Sequence, residues 1–161
     1  GNMKFMMNGA LTIGTYDGAN IEIAGAVGPE NCFIFGQKVE DFHAAKGYYN
    51  PQWQYNNIPG LKRCVDTLVD GTFNDEGTGM FQDLYNGLLY GSNWQPADPF
   101  YVLGDFDDYR KARQYTDRVY RDRLDWARKC WVNIVRSGFF SSDRTIHAYA
   151  SEIWKVDSAK I

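Results

Sequence analysis

The first part of the chain contains two short apolar runs, at residues 11–14 and 32–36, that the hydrophobic pattern predicts to be strands. Each run lacks charged side chains and ends at a glycine, as buried parallel strands often do. Between them, residues 19–26 follow an Asp-Gly pair and are predicted to form a helix that ends near Gly28. A strand, a helix and a second strand in this order predict a parallel pair with a right-handed crossover.

The rest of the chain has apolar positions at helical spacing. After residue 60, apolar side chains recur three and four residues apart, which is the period of one helix face. These periodic stretches lie at residues 61–69, 80–89, 109–119, 126–135 and 146–154. Gly71 and Gly138 follow two of the stretches and are predicted to end those helices. Thr78, Asp105 and either Ser141 or Ser142 are predicted to be N-caps.

These elements predict an α/β chain with about two parallel strands at the start, followed by mostly helices. A further helix is predicted within residues 37–46, a loop at residues 47–59 and a short extended piece at residues 101–103. The length of 161 residues suits one compact domain. Because a two-stranded parallel sheet is hardly stable by itself, we expect its other strands to lie upstream in a longer polypeptide.

Charge and composition exclude several classes of protein. The formal net charge is −3, whereas a nucleic-acid-binding domain normally carries a basic surface. No run of about 18 apolar residues predicts a membrane-spanning helix, and the first residues do not have the pattern of a signal peptide. The three cysteines form no CxxC pair, which disfavours a disulfide framework or a zinc site and makes a reducing cytoplasm the default.

Aromatic residues make up 16% of the chain, with 5 Trp, 11 Tyr and 10 Phe. Such rings can form a core, or they can form a surface on which sugars or bases stack. Most of them fall at helical spacing, so the pattern favours a core built from large rings.

Familiar catalytic and metal-binding patterns are missing. His43 and His147 lie on different predicted helices, and neither has a second ligand at i+3 or i+4 on a clear ligand face, which disfavours a metal site. Residues 105–108 are acidic but lack the glycine and closing glutamate of a calcium loop, so helix capping explains them better. Residues 74–79 lack the Gly-Lys-Ser/Thr ending of a phosphate loop and predict a turn. Neither GxSxG nor GxGxxG occurs.

Lys4 is a lone lysine in an otherwise apolar segment. By composition alone, a lysine near a chain end is a solvated surface group. Its neighbours Met3, Phe5, Met6 and Met7 are nonetheless expected to be buried. In such surroundings a lysine amine is desolvated, which favours its neutral form and allows Schiff-base formation. The residues alone leave both interpretations open.

One stretch is distinctive enough to indicate a family. Residues 2–15 read Asn-Met-Lys-Phe-Met-Met-Asn-Gly-Ala-Leu-Thr-Ile-Gly-Thr, and Asp-Gly-Ala-Asn follows at residues 17–20. This sequence resembles the pyridoxal-phosphate segment of the α-glucan phosphorylases, the group that includes the glycogen, starch and maltodextrin phosphorylases. An uninterrupted match of this length is highly specific.

The resemblance continues to the end of the chain. Residues 31–36, 137–146 and 149–154 are similar to later parts of the same family, and the similarity is loosest between residues 45 and 125. The resemblance implies that residues 1–161 are the C-terminal part of the catalytic, pyridoxal-phosphate-binding domain. The fold expected is therefore a partial Rossmann-like domain of a GT-B-type enzyme, in which two such domains enclose the active site.

The resemblance also implies an activity and a set of cofactor-binding residues. Enzymes of this family release the terminal glucose of an α-1,4-glucan with inorganic phosphate, giving α-glucose 1-phosphate with retention. The phosphate of the cofactor relays a proton to the substrate phosphate, so no carboxylate pair is needed, and no catalytic residue is assigned in this chain. By the match, Lys4 holds pyridoxal phosphate covalently. Gly1 is the last glycine of the turn around the cofactor phosphate, and Asn2, between them, is the weaker assignment.

Further expectations concern the longer enzyme and the chain alone. The resemblance implies a cytoplasmic homodimer that binds glucan and phosphate but neither nucleic acid nor membrane. Residues 1–161 lack the family's substrate-phosphate and sugar-binding segments, so the chain alone is expected to be inactive. The alternative is a non-catalytic helical assembly or docking module. Its last helix would use apolar side chains that favour self-association, namely Ile146, Tyr149, Ile153 and Trp154.

Overall fold

The computed structural model describes residues 1–45 and 47–157, apart from the side chain of Phe42. The chain divides into two compact units. The terminal unit combines Gly1–Ile34 with the described part of Gln114–Ile161, and the central unit is Phe35–Arg113. The assignment of the whole chain to one domain of a larger enzyme stays a prediction.

Helices dominate the part of the chain that the structure describes. In chain order the elements are α1 (Asn2–Met7), β1 (Ile13–Thr15), α2 (Ala19–Val27), β2 (Phe33–Phe35), α3 (Val39–Ala45), α4 (Pro51–Asn57), α5 (Leu61–Asp66), α6 (Met80–Leu89), α7 (Phe106–Arg121), α8 (Arg123–Arg136) and α9 (Ser142–Ala148). Short 3-10 helices lie at Pro29–Asn31 and Ser137–Phe140, and a π-helical turn at Tyr149–Trp154 follows α9. None of these described helices has both the length and the apolar character needed to cross a membrane.

The two predicted strands pair in one parallel sheet. This arrangement confirms the expected fold class, a partial α/β domain that is otherwise mostly helical. The amide N of Phe33 donates to the carbonyl oxygen of Thr12 at 2.8 Å. β2 ends before Gly36, where the chain turns with a φ of 80°. A Cβ at Gly36 would lie 2.7 Å from the carboxylate of Asp105, so glycine is required there.

One apolar core holds the terminal unit together. Its buried side chains come from α1, α2 and the residue before β2, and partly buried side chains from α2, β2, α8 and the 3-10 helix after α8 surround them. The buried members are Met6, Ile23, Val27 and Cys32, and the partly buried ones are Ala24, Ile34, Val132 and Phe140. Because these residues come from both ends of the sequence, the core requires α8 to pack against the first two helices.

Polar contacts fix α8 to the 3-10 helix at Pro29–Asn31. The buried Asn133 donates its Nδ2 to the carbonyl oxygens of Asn31 at 2.9 Å and Lys129 at 3.0 Å. Lys129 in turn donates its Nζ to the carbonyl oxygen of Glu30 at 2.8 Å. Two of these bonds satisfy the main-chain carbonyls of Glu30 and Asn31, which lie in the segment between the two strands.

The central unit has its own core, and part of it lies in a segment that the sequence pattern predicts wrongly. Residues 47–59 were expected to be a loop, but α4 occupies most of them. Asn50 caps this helix by accepting the amide N–H of Trp53 at 3.0 Å, and Pro51 provides a suitable φ in the first turn. The buried core residues are Tyr55, Leu61, Val65, Leu89 and Leu103.

Residues 101–103 form a turn rather than the extended piece predicted, and the cause is Asp98. This carboxylate is 1% exposed. Its oxygens accept the amide N–H groups of Val102 and Leu103, each at 2.8 Å, and the hydroxyl of Tyr49. The Tyr49 oxygen also accepts the amide N–H of Gly104 at 3.1 Å. The buried carboxylate therefore organises the backbone around itself.

Several helix ends differ from the predictions. α5 ends at Asp66 instead of continuing to residue 69, because the chain there enters i→i−3 turns. The N-cap of α6 is Gly79, with a left-handed φ of 77°, and not Thr78. α7 begins directly after Asp105, as expected, but the Asp105 carboxylate accepts the amide N–H of Gln37 at 2.9 Å. The prediction that Ser141 caps α9 is confirmed.

Few of the described aromatic rings belong to a core, so the expectation of an aromatic core is wrong for this chain. Phe33 and Tyr55 are buried. The rings that are more than half exposed are Phe5, Tyr48, Trp53, Phe73, Tyr90, Trp94, Phe100, Tyr115, Trp131 and Trp154. Helical spacing places a ring on one face of a helix, but it does not say whether another element covers that face.

Tyr55 joins the central core to a polar cluster. Its hydroxyl donates to the carboxylate of Asp66 and accepts the Nζ of Lys62 at 2.6 Å. The Tyr85 hydroxyl lies 3.4 Å away. Burial of the ring, followed by the hydrogen bond to Asp66, raises the pKa of Tyr55 to about 12.

The raised pKa of Tyr55 predicts loss of stability in alkali. A tyrosine in the unfolded chain ionises near pH ~10, so the unfolded state loses this proton first and the free energy of unfolding falls as the pH rises toward about 12. We expect Tyr55→Phe to show a smaller alkaline loss, measured as the shift in the urea midpoint between pH ~8 and pH ~11. The exposed Tyr48→Phe variant is the control. Equal shifts in the two variants would contradict the assignment.

Candidate functional site

The predicted cofactor lysine lies on α1, and its side chain is exposed. Within α1 the buried side chain is Met6, while Met3, Phe5 and Met7 are exposed. The expectation that these apolar neighbours are buried is therefore wrong except at Met6, and of the two interpretations left open for Lys4 the structure supports the exposed surface group. A helix of this length presents one narrow face to its core, and Met6 occupies it.

Gly1 is the N-cap residue of α1, and no side-chain hydrogen bond caps this end of the helix. The carbonyl oxygen of Gly1 accepts the amide N–H of Phe5 at 3.1 Å. The earlier amide N–H groups of a helix have no partner within the helix, so they can receive an anion. Lys4 is three residues after Gly1, which places it on the same side of the helix.

Asn2 is held by a second asparagine from another helix. Its Nδ2 donates to the Oδ1 of Asn20 at 2.7 Å, and the Nδ2 of Asn20 donates to the carbonyl oxygen of Thr15 at 3.0 Å. A Cβ at Gly14 would lie 2.6 Å from the Asn20 Nδ2. The first turn of α1 is thereby connected to the end of β1 and the start of α2.

Gly1, Asn2 and Lys4 thus lie in one helical turn, and they offer a coherent set of groups. A primary amine can bind an aldehyde covalently, and uncapped amide N–H groups suit a phosphate. The far end of the turn is also fixed, because Asn8 donates its Nδ2 to the carbonyl oxygen of Lys4 at 2.7 Å. A cofactor that carries both an aldehyde and a phosphate fits this donor set.

Other candidate chemistry is not assembled in the described residues. No group of three or more potential metal ligands occurs among them. Cys32, Cys64 and Cys130 are free thiols. Burial, with the nearby Glu30 adding to it, raises the pKa of Cys32, and burial raises that of Cys130. These two thiols therefore stay neutral and pack as small apolar groups.

Comparison with known proteins identifies the family. A family model described as carbohydrate phosphorylase matches residues 1–156. This chain belongs to the carbohydrate phosphorylase family. The resemblance inferred from residues 2–15 is thereby confirmed.

Individual phosphorylases align with the whole of this chain. The brain form of glycogen phosphorylase from Rattus norvegicus is 47% identical over 163 aligned residues, which cover 100% of this chain and 19% of the relative. The brain form from Homo sapiens is 45% identical, with 100% and 18% covered. The muscle form from Ovis aries is 45% identical, with 99% and 18% covered. The chain spans about a fifth of the length of these phosphorylases.

Sequence reasoning missed Asn20 as the hydrogen-bond partner of Asn2 at this candidate site. The residue lies in the Asp-Gly-Ala-Asn sequence that carries the family resemblance, but that sequence was interpreted as a turn into a helix. The signal available in the sequence was a polar residue at the start of a mostly apolar helix. Its partner is 18 residues away, and helical periodicity does not pair such distant residues.

Proposed function

We propose that this chain is the C-terminal part of the pyridoxal-phosphate-binding catalytic domain of an α-glucan phosphorylase. The observation that carries the proposal is the alignment of glycogen phosphorylases along the whole chain at 44–47% identity. The longer enzyme would transfer the terminal glucose of an α-1,4-glucan to inorganic phosphate and release α-glucose 1-phosphate. It would act in the cytoplasm as a homodimer. The 161-residue chain alone is not expected to catalyse this reaction.

Lys4 is the residue proposed to hold the cofactor. Its exposed amine is accessible to an aldehyde, and it follows the start of α1, where backbone N–H groups without a side-chain cap would receive the phosphate beside Gly1. Asn2 is the weaker assignment, because its carboxamide is turned toward Asn20 of α2, on the side of α1 away from Lys4. When bound, pyridoxal phosphate supplies a phosphate group that exchanges a proton with the substrate phosphate. The protein's part is to attach and orient that group.

Covalent labelling tests this proposal directly. We expect pyridoxal phosphate, trapped by borohydride reduction and located by peptide mass spectrometry, to modify Lys4 in preference to the other lysines. The reason is that Lys4 combines an accessible amine with a helix start that attracts the phosphate. Lys38, which is also exposed, provides an internal reference, and Lys4→Arg is the matched variant that keeps the charge.

Labelling spread evenly over the lysines, or unchanged in total in Lys4→Arg, would contradict the proposal. That outcome would favour the alternative function, a non-catalytic assembly module. One observation supports the alternative: the apolar side chains at the end of the chain are exposed instead of packed, among them Ile146, Ile153 and Trp154. Exposed apolar side chains grouped in one segment are typical of a contact site.

A further inference from the structure

The hydrogen bonds of Asn20 have a fixed direction. The Thr15 carbonyl can only accept a hydrogen bond, so Asn20 must turn its Nδ2 toward Thr15 and its Oδ1 toward Asn2. Asn2 must then present its own Nδ2 to Asn20, and its Oδ1 is left for other partners. The Thr15 carbonyl thus determines the orientation of the Asn20 amide, which in turn determines that of the Asn2 amide.

The contact between α1 and α2 has one polar and one apolar component. Asn2 and Met6 are four residues apart and lie on the same face of α1. Asn20 and Ile23 are three residues apart and share a face of α2. The Asn2–Asn20 hydrogen bond is 2.7 Å long, and Met6 and Ile23 belong to the same buried cluster. The two helices therefore touch at two points along their length.

Lys4 lies on another side of α1. Each helical residue advances by about 100°, so Lys4 is about 200° from Asn2 and points away from α2. α1 also packs against α8 and the 3-10 helix at Ser137–Phe140, and to these contacts the Asn2–Asn20 hydrogen bond adds a directional polar one at the first turn. The direction in which Lys4 projects therefore depends on Asn20, which it does not touch.

We propose that Asn20 is a positioning residue for the cofactor, because it fixes the rotation of α1 and so the direction of the Lys4 amine. This inference rests on the proposed function of Lys4. It adds a residue on a different helix to the set that determines where the cofactor is attached.

The test measures the Lys4 share of the reduced pyridoxal-phosphate adduct in the 161-residue chain. In Asn20→Ala, we expect the ratio of Lys4 adduct to Lys38 adduct to fall at least about fivefold. One hydrogen bond of typical net strength changes an equilibrium constant by this factor. Asn86→Ala is the matched control, since Asn86 is also half-buried and bonds to Gln82 at 3.1 Å in α6. Its Lys4 share should not change.

A second variant covers the possibility that Asn20→Ala does not fold. Gly14→Ala places a Cβ 2.6 Å from the Asn20 amide, which moves the amide away while keeping its chemistry. We expect Gly14→Ala to show the same loss of Lys4 selectivity at all pH values. The labelling is carried out below the thermal transition measured by circular dichroism, where the variant is folded. A purely structural role would change the transition temperature and leave the selectivity of the folded protein intact.

The outcomes separate the two proposals. Selective labelling in the original chain together with unchanged selectivity in folded Asn20→Ala or Gly14→Ala overturns the positioning role alone. Labelling without preference for Lys4 in the original chain overturns the proposed function, and the positioning role with it. Loss of selectivity in both variants, with Asn86→Ala unaffected, supports the inference.

Discussion

Replacing Met6 with alanine is expected to lower the free energy of unfolding by about 2–5 kcal/mol. Met6 is 0% exposed and packs in the terminal core with Ile23, Val27 and Cys32. Alanine removes most of the buried side chain and leaves a cavity whose walls cannot fully collapse. The loss also weakens the apolar contact that holds the helix carrying Lys4. Urea unfolding followed by circular dichroism measures the effect.

The adjacent methionine is a close control for this experiment. Met7 is 58% exposed, so Met7→Ala changes the same residue type in the same helix without opening a cavity. We expect its effect to stay within about 0.5 kcal/mol. If the two variants unfold at the same urea concentration, Met6 does not anchor α1 in the way that the core indicates.

Replacing Asp98 with alanine is expected to cost about 3–5 kcal/mol in the central unit. Three donors lose their acceptor at once: the Tyr49 hydroxyl and the amide groups of Val102 and Leu103. Buried donors without partners are costly. Asp98 also has a φ of 42°, a conformation that aspartate and asparagine tolerate better than alanine.

The isosteric variant Asp98→Asn distinguishes acceptor loss from backbone strain. It keeps one side-chain oxygen and tolerates the positive φ, so we expect about half the loss. Asp108→Ala, at an exposed position paired with Lys111 at 3.4 Å, should cost about 1 kcal/mol or less. Amide hydrogen exchange at Val102 and Leu103 should accelerate in Asp98→Ala, and unchanged exchange there would refute the role of this carboxylate.

The parts of the fold that follow from local pattern were predictable. The two strands are apolar runs, α6 and α8 follow the apolar period, and α2 follows an Asp-Gly turn and ends at a glycine. Pattern could not place α4, because the helix starts from a cap at Asn50 and a proline in a segment rich in polar and aromatic residues. Nor could it show that residues 101–103 fold around a buried carboxylate, since apolar side chains there suggested a strand.

The candidate site was predictable only where a family resemblance supplied it. Lys4 is a charge among apolar residues, but the expected burial of those neighbours is wrong except at Met6, because α1 buries that side chain alone. Asn20 has no local signal that connects it with Asn2. A hydrogen bond between residues 18 apart depends on how two helices cross, and sequence spacing does not determine that angle.

The division of the chain has a consequence for the order of events during synthesis. The central unit is continuous, so it can fold once residue 113 has left the ribosome, whereas the terminal unit draws on residues 1–34 and on residues beyond 114. Until α8 emerges, Met6 and Ile23 have no complete core to enter. The first helices therefore lack α8 as a packing partner throughout translation of the central unit, and this delay lengthens the interval in which chaperones can act on them.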